Sequence, residues 1–271
     1  MHKTVITHGK AWFDFGLKEL YRYRELLWIL TWRDLKVRYA QTIVGVLWAI
    51  INPLFTLVVL TFVFKTVADV DTGGYPHLLF TLSGMAAWTY FSSVVAGAGG
   101  SIISSQQMVS KVYFPRLLLP LSKAVGALVD LAVVLVILTI MLFWYGFAPS
   151  STLIYLPAFI FLAILAGVGV GLWISAMSIR FRDFMYVTPL LLRLGMFITP
   201  IAYPVSSVGE KWETLMYLNP MTGIIEGMRW SILGIHPPTE GLTLSIIVVA
   251  VVFISGLIVF NRIERKIADI I

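Results

Sequence analysis

Asp69-Val70-Asp71 has the spacing with which two carboxylates grip a divalent ion against a diphosphate, and His77 follows six residues later. The competing reading is a solvated acidic turn running into Gly73-Gly74, and it is the stronger one. His2, His8 and His236 are scattered, and the chain has no cysteine, so no nucleophile–base pair or metal cluster can be assembled from local spacing. No catalytic or metal-binding residue is assigned. Gly167, Gly169 and Gly171 in "GVGVG" lie inside an apolar run, where they cannot cradle a phosphate; Gly167 and Gly171 instead read as a close helix contact. No G-x-x-x-x-G-K-[ST] occurs, so the chain holds no nucleotide loop of its own. Asp130 and Arg193 are harder to dismiss. Each stands about nine residues into an apolar run, roughly 13 Å deep at the helical rise. A charge at that depth costs about 2.5–3.5 kcal/mol and seldom faces lipid. The expectation is an intramembrane pair between the two, or a polar pathway lined by one or both.

The elements that must carry these residues are membrane helices. Of 271 residues, 59% are hydrophobic and only 13% charged, against about 25% charged in soluble domains. Six spans are predicted, at 43–64, 77–97, 121–145, 153–178, 184–203 and 242–260. The fold class is therefore an all-α polytopic membrane protein, read as one domain over 1–271 with no cleavable signal. With the N-terminus cytoplasmic, sixteen of the twenty lysines and arginines fall in inside segments and only Lys65, Lys211 and Arg229 outside, which places both termini in the cytoplasm. The same distribution explains the net charge of +6 without nucleic acid.

Two non-spanning segments are structured. In the leader, 1–41, Leu20, Tyr23, Leu27 and Leu30 share a helical face, and Trp12, Trp28 and Trp32 add interfacial aromatics; this predicts an amphipathic helix on the cytoplasmic membrane surface. In the external segment, 204–240, Ser207 with Glu210 fits a capping box for a helix ending near Asn219. Asn219-Pro220 then starts a second helix with Met221, Ile224, Ile225, Met228 and Ile232 on one face, ending at Gly234. The pair reads as a hairpin dipping into the outer leaflet.

Aromatic residues are dense, and Trp48, Phe55 and Phe62 recur every seven positions along the first span. Such a stripe can pack another helix or stack on the apolar faces of sugar rings. Between the second and third spans lies "KVYFPR", from Lys111 through Val112, Tyr113, Phe114 and Pro115 to Arg116. It is cytoplasmic and basic. A topogenic role explains its charges but not its aromatic run, which suits an anchor for a partner protein.

Four stretches together resemble one family. They are "RYAQTIVGVLWAIINPLFTLVVLTFVF" from Arg38, "KVYFPRLLLPLS" from Lys111, "RFRDF" from Arg180 and "PVSSVGEKWETLMYLNPMTGIIEGMRW" from Pro204. In order, and over nearly the whole chain, they are similar to the membrane permease of polysaccharide and polyol-phosphate ABC exporters, which move O-antigen, capsule or teichoic acid chains across the cytoplasmic (inner) membrane. The resemblance implies a homodimer with two copies of a separate ATPase, which would hold the ATP and Mg; no cofactor is implied on this chain. It makes 111–116, with Arg180, Arg182 and Asp183, the ATPase-coupling surface. It makes the hairpin an external gate, with Glu210, Trp212, Glu226 and Arg229 as its polar and aromatic residues. Spans one and five would line the passage, placing Trp48, Phe55, Phe62, Phe197 and Arg193 along it.

The reading reached is the transmembrane subunit of an ATP-driven exporter of a lipid-linked polysaccharide such as O-antigen, not itself an enzyme. The alternatives are the same architecture carrying teichoic acid, capsule, lipooligosaccharide or a drug; a membrane glycosyltransferase built on Asp69 and Asp71; and a passive channel.

Overall fold

The computed structural model describes residues 17–40, 45–148, 150–236 and 239–264. Trp12, the first residues of the predicted first span, and Lys3, Lys10, Arg265 and Lys266 of the termini lie outside them. The described residues are predominantly helical, with no strand among them. Five stretches are long and apolar enough to cross a membrane: Trp48–Val67, His77–Ser104, Leu118–Trp144, Ser151–Arg180 and Glu240–Glu264. The chain is a polytopic all-α membrane protein.

The first of these comprises α3 (Trp48–Thr61) and a wider, π-type turn at Phe62–Val67. The others contain α4 (His77–Ser104), α6 (Leu118–Trp144), α7 (Leu156–Arg180) and α11 (Thr239–Glu264). The predicted fifth span is shorter than expected. Its helix, α8, covers only Phe184–Ile198, because Thr199 precedes Pro200 and is driven to an extended conformation (ψ 138°). The chain then turns back inside the protein, with Ile201, Ala202 and Val205 buried.

Helix α4 is the hub. It packs on α7, α6, α10 (Pro220–Leu233), α3 and α8, and most of its length is buried. Its small residues permit this, since helices in lipid associate through close backbone approach rather than a hydrophobic force. The G-x-x-x-G expectation holds: Gly167 faces Val94 and Gly171 faces Ala98, both on α4. Gly169, between them on the other side of α7, meets the backbone of Phe253 on α11, and Gly256 of α11 in turn meets the Gly169 carbonyl. A three-glycine stripe thus serves two interfaces at once.

Two elements flank the spans. Helices α1 (Leu17–Arg22) and α2 (Arg24–Ala40) form the leader. Leu30 and Thr31 are buried against α6, while Trp28, Ile29 and Trp32 are exposed, as the amphipathic pattern requires. The attitude of α2 differs from a helix lying flat on a surface. Thr31 approaches Ser122, Asp34 binds Lys123 and Arg38 binds Asp130, so α2 climbs parallel to the first turns of α6.

At the opposite end, α9 (Glu210–Met216) and α10 make the hairpin. The expected capping box does not form. Ser207 Oγ donates to the Pro204 carbonyl, and Gly209 adopts φ +87°, so α9 begins only at Glu210. The second helix matches expectation: Asn219 Oδ1 accepts from Met221 N at 3.0 Å, Pro220 occupies the first turn, and Gly234 closes the helix in the left-handed conformation. Its face of Met221, Ile224, Ile225, Met228 and Ile232 is buried.

Gly169→Ala would set its methyl 2.7 Å from the Phe253 Cα, a backbone atom that no rotamer change can move. It should cost about 1–3 kcal/mol and lower the melting temperature in detergent by several degrees. Gly100→Ala, which meets only the Met185 Cε at 3.7 Å, should be tolerated.

Candidate functional site

Asp130 lies in the thirteenth position of α6, about 18 Å along that helix at 1.5 Å per residue. Its carboxylate is held from three sides. Arg38 Nη1 donates to Oδ2 at 2.7 Å, Tyr39 Oη donates to Oδ1 at 2.6 Å, and Ser93 Oγ of α4 donates to Oδ2 at 3.4 Å. Sequence reasoning expected Arg193 as the partner. The correction is Arg38, at the far end of α2, 92 residues away in the chain. Depth estimates put Asp130 and Arg193 level but say nothing of rotation about the bundle, and α8 packs on α4 and α7 instead of α6. Arg193 is exposed on α8 and makes no ion pair with Asp130.

A second bridge fixes the lower part of α2: Lys123 Nζ meets Asp34 Oδ2 at 2.7 Å, and Arg33 holds the other oxygen at 2.9 Å. Burial alone would raise the Asp34 carboxyl; the hydrogen bonds and charges of Lys123 and Arg33 outweigh it and hold the group below its ordinary value. Arg38, Tyr39, Ser93 and Asp130 also form one wall of a cavity of about 330 Å³, whose other residues are Trp48, Ala49, Asn52 and Pro53 of α3, Thr89 of α4 and Val134 of α6.

The faces of α3 and α8 turned away from α4 are unpartnered. Trp48, Phe55 and Phe62 are 44%, 70% and 60% exposed, and Phe197 is 52% exposed beside Arg193. Only Pro53, Leu57 and Leu60 of α3, and Thr188 of α8, are buried. Near the hairpin end the turn after α3 meets the chain after α8, where Phe64 stacks on Tyr203 with ring centroids 5.6 Å apart.

At the α2 end, α5 (Gln106–Lys111) leads into an extended stretch at Val112. Val112 and Tyr113 are exposed, Tyr113 by 74%, while Phe114 is turned into the chain's own core. Sequence reasoning offered both aromatics to a partner; Phe114 is instead the anchor that holds Tyr113 outward. A further clamp had no sequence signal: the Arg116 backbone N–H donates to Glu264 Oε1 at 3.1 Å and Arg116 Nη1 to the Glu264 carbonyl at 2.8 Å. The segment is thereby tied to the end of α11. Arg180, Arg182 and Asp183 are exposed at the α7–α8 turn, with Arg180 over the Phe181 ring.

In the hairpin, Trp212 is exposed, whereas the Glu210 side chain lies outside the described residues. Glu226 accepts from the Tyr217 hydroxyl and from Val205 N. Arg229 is 2% exposed, donates to the Ile201 and Tyr203 carbonyls and sits 3.8 Å over the Phe80 ring. Gly84, which has no room for a Cβ, lets these groups approach. Arg229 and Glu226 therefore bolt the root of α10 to the turn after α8. The acidic turn also takes a plain form: Asp71 Oδ1 accepts from Gly73 N at 2.9 Å, and the described residues contain no group of three or more His, Asp or Glu side chains arranged to hold a metal.

A bundle of membrane helices with an upright leader helix, a buried-root hairpin and an aromatic segment exposed at one end defines a transport permease more readily than an enzyme. The ABC-2 type transporter membrane family matches residues 25–233, and the chain belongs to that family. It is 29% identical over 248 residues to the O-antigen export system permease protein RfbA of Klebsiella pneumoniae, covering 91% of this chain and 95% of that protein. It is 30% identical over 211 residues to the RfbA of Myxococcus xanthus, covering 77% of this chain and 80% of that protein. Similarity extends to the polysialic acid transport protein KpsM of Escherichia coli, at 24% identity over 206 residues, 74% of this chain and 78% of that protein.

Asp130→Asn and Arg38→Gln should each lower the yield of monodisperse protein, because each strands a polar partner at membrane depth. The double variant should regain part of the loss. Adding Arg193→Gln to Asp130→Asn should be additive, checked by fluorescence-detected size exclusion. The Asp34 bridge predicts a pH dependence of fixed sign. Its carboxyl is lowered in the fold, so its stabilisation is present above the ordinary carboxylate range and is lost as pH falls through the lower folded value. Asp34→Asn should therefore melt below wild type at pH 7, and the gap should close toward pH 3.

Proposed function

We propose that the chain is the transmembrane subunit of an ATP-driven exporter that moves a lipid-linked polysaccharide, of the O-antigen kind, across the cytoplasmic membrane. The observation that carries this reading is the unpartnered α3–α8 face. It bears Trp48, Phe55, Phe62 and Phe197 together with an exposed arginine, Arg193. A lipid-facing arginine at that depth is costly, whereas a second copy of the chain laid against this face would enclose it. The two copies would form a passage lined by aromatic rings, which stack on sugars, and by a cation suited to an anionic carrier. The likeness to O-antigen and polysialic acid permeases supports the same substrate class.

In this mechanism both termini, α2 and α5 face the cytoplasm, a placement that the distribution of lysine and arginine supports. Two copies of a separate ATPase bind ATP and Mg and close on one another. Tyr113, Val112, Lys111 and the exposed Arg180, Arg182 and Asp183 receive that motion. Phe114 carries it into the core, and the Arg116–Glu264 clamp carries it to α11. The α9–α10 hairpin, its root held by Arg229, lies on the external side and gates the exit.

The purified chain should hydrolyse no ATP without its partner subunit; hydrolysis by the chain alone would overturn the reading. Tyr113→Ala and Phe114→Ala should separate in effect. The first should keep the melting temperature and weaken copurification of the ATPase. The second, deleting a buried ring, should lower stability by about 3–5 kcal/mol.

A further inference from the structure

The cavity beside the Arg38–Asp130 pair contains polar groups that the protein leaves unused. Asn52, the fifth residue of α3, and Thr89 of α4 both line it, and neither side chain takes part in any hydrogen bond among the described residues. Pro53 has no N–H, so the Ala49 carbonyl on the same wall lacks its usual helix donor. Asn52 is exposed and Thr89 half-buried, so both stand ready to pair with a ligand that enters the cavity. The fourth kind of wall is Trp48, whose ring is 44% exposed and stands at the α2 end of the Trp48–Phe55–Phe62 stripe.

We infer that this cavity is a binding site for one sugar ring of the lipid-linked glycan, the first station below the aromatic stripe; the inference rests on the export reading above. The chemistry selects a neutral polyhydroxylated ligand over a phosphate. Arg38 is already neutralised by Asp130, which faces the same cavity, so the wall offers an anion no net attraction. The Asn52 carboxamide can both donate and accept, the Thr89 hydroxyl likewise, and the Ala49 carbonyl accepts. That set matches adjacent hydroxyls on a ring edge. Trp48 supplies the flat apolar surface on which the C–H face of a pyranose stacks. A volume of about 330 Å³ falls at the lower end of small-molecule pockets, roughly 300–1,000 Å³.

The test uses the complete complex with its ATPase in lipid nanodiscs and two radiolabelled probes: a synthetic long-chain lipid phosphate bearing a disaccharide, and the same lipid phosphate without sugar. Wild type should bind the glycosylated probe about tenfold more tightly, the effect of one or two added hydrogen bonds. Asn52→Leu with Thr89→Val should bring that ratio close to one while the melting temperature stays level or rises, since neither side chain is held by a hydrogen bond among the described residues. Equal binding of the two probes by wild type, a preference that survives in the double variant, or a preference lost together with a fall in melting temperature would overturn the sugar site. ATP hydrolysis separates the two readings. Hydrolysis stimulated by the glycosylated probe without any binding preference would sink the pocket and keep the exporter. A preference lost in the double variant with hydrolysis indifferent to either probe would keep the pocket and sink the exporter.

Discussion

A carboxylate cannot sit in a membrane helix without a cation or several donors, and in this chain Asp130 recruits both. Because Arg38 and Tyr39 come from the leader, meeting that demand pulls α2 upright along α6 instead of leaving it flat on the surface. The Asp34–Lys123 bridge and the Thr31–Ser122 contact then fall into the same parallel register. Trp48 and Asn52 are set against Thr89 and Ser93, and a polar cavity is left where apolar packing would otherwise close. One intramembrane charge therefore determines the attitude of a surface helix and the shape of a pocket.

The same logic of satisfaction by backbone groups appears at the opposite end. Arg229 is fully enclosed, and it donates to the carbonyls of Ile201 and Tyr203, which the break at Thr199-Pro200 has released from helical bonding. The break shortens α8, and the freed carbonyls bind the hairpin that caps it. Gly84 makes the approach possible. The hairpin root is thus rigid, while Trp212 on the shorter α9 remains exposed. A rigid root with an outer arm is a suitable build for a gate.

Between these ends, the proposed coupling would run through packed helices. Phe114 buried and Tyr113 exposed divide one short segment into an anchor and a handle. The Arg116–Glu264 clamp extends the anchor to α11, which packs on α7 through Gly169 and Gly256, and α7 packs on α4 through Gly167 and Gly171. Glycine contacts of this kind hold backbones at fixed distance, so in the proposed mechanism a push at the α5 end would move several helices as one body.

Much of this was legible in the chain itself. Five of the six spans, the Asn219-Pro220 start and Gly234 end of α10, its buried apolar face, the amphipathic leader and the Gly167–Gly171 contact all follow from local rules: period, capping chemistry and the cost of burying charge. Those rules act within a few residues and can be read from a linear string. The partner of Asp130, the inward turn of Phe114, the Glu264 clamp and the polar cavity were decided only by the tertiary structure. Each joins residues tens of positions apart, and each depends on how helices are rotated about their axes. Sequence depth estimates placed Asp130 and Arg193 at one level, yet rotation and neighbour choice gave the carboxylate to Arg38 and left Arg193 facing outward. Such choices are settled by shape complementarity among small residues on α4, α6 and α7, a many-body property that periodicity along one chain does not encode.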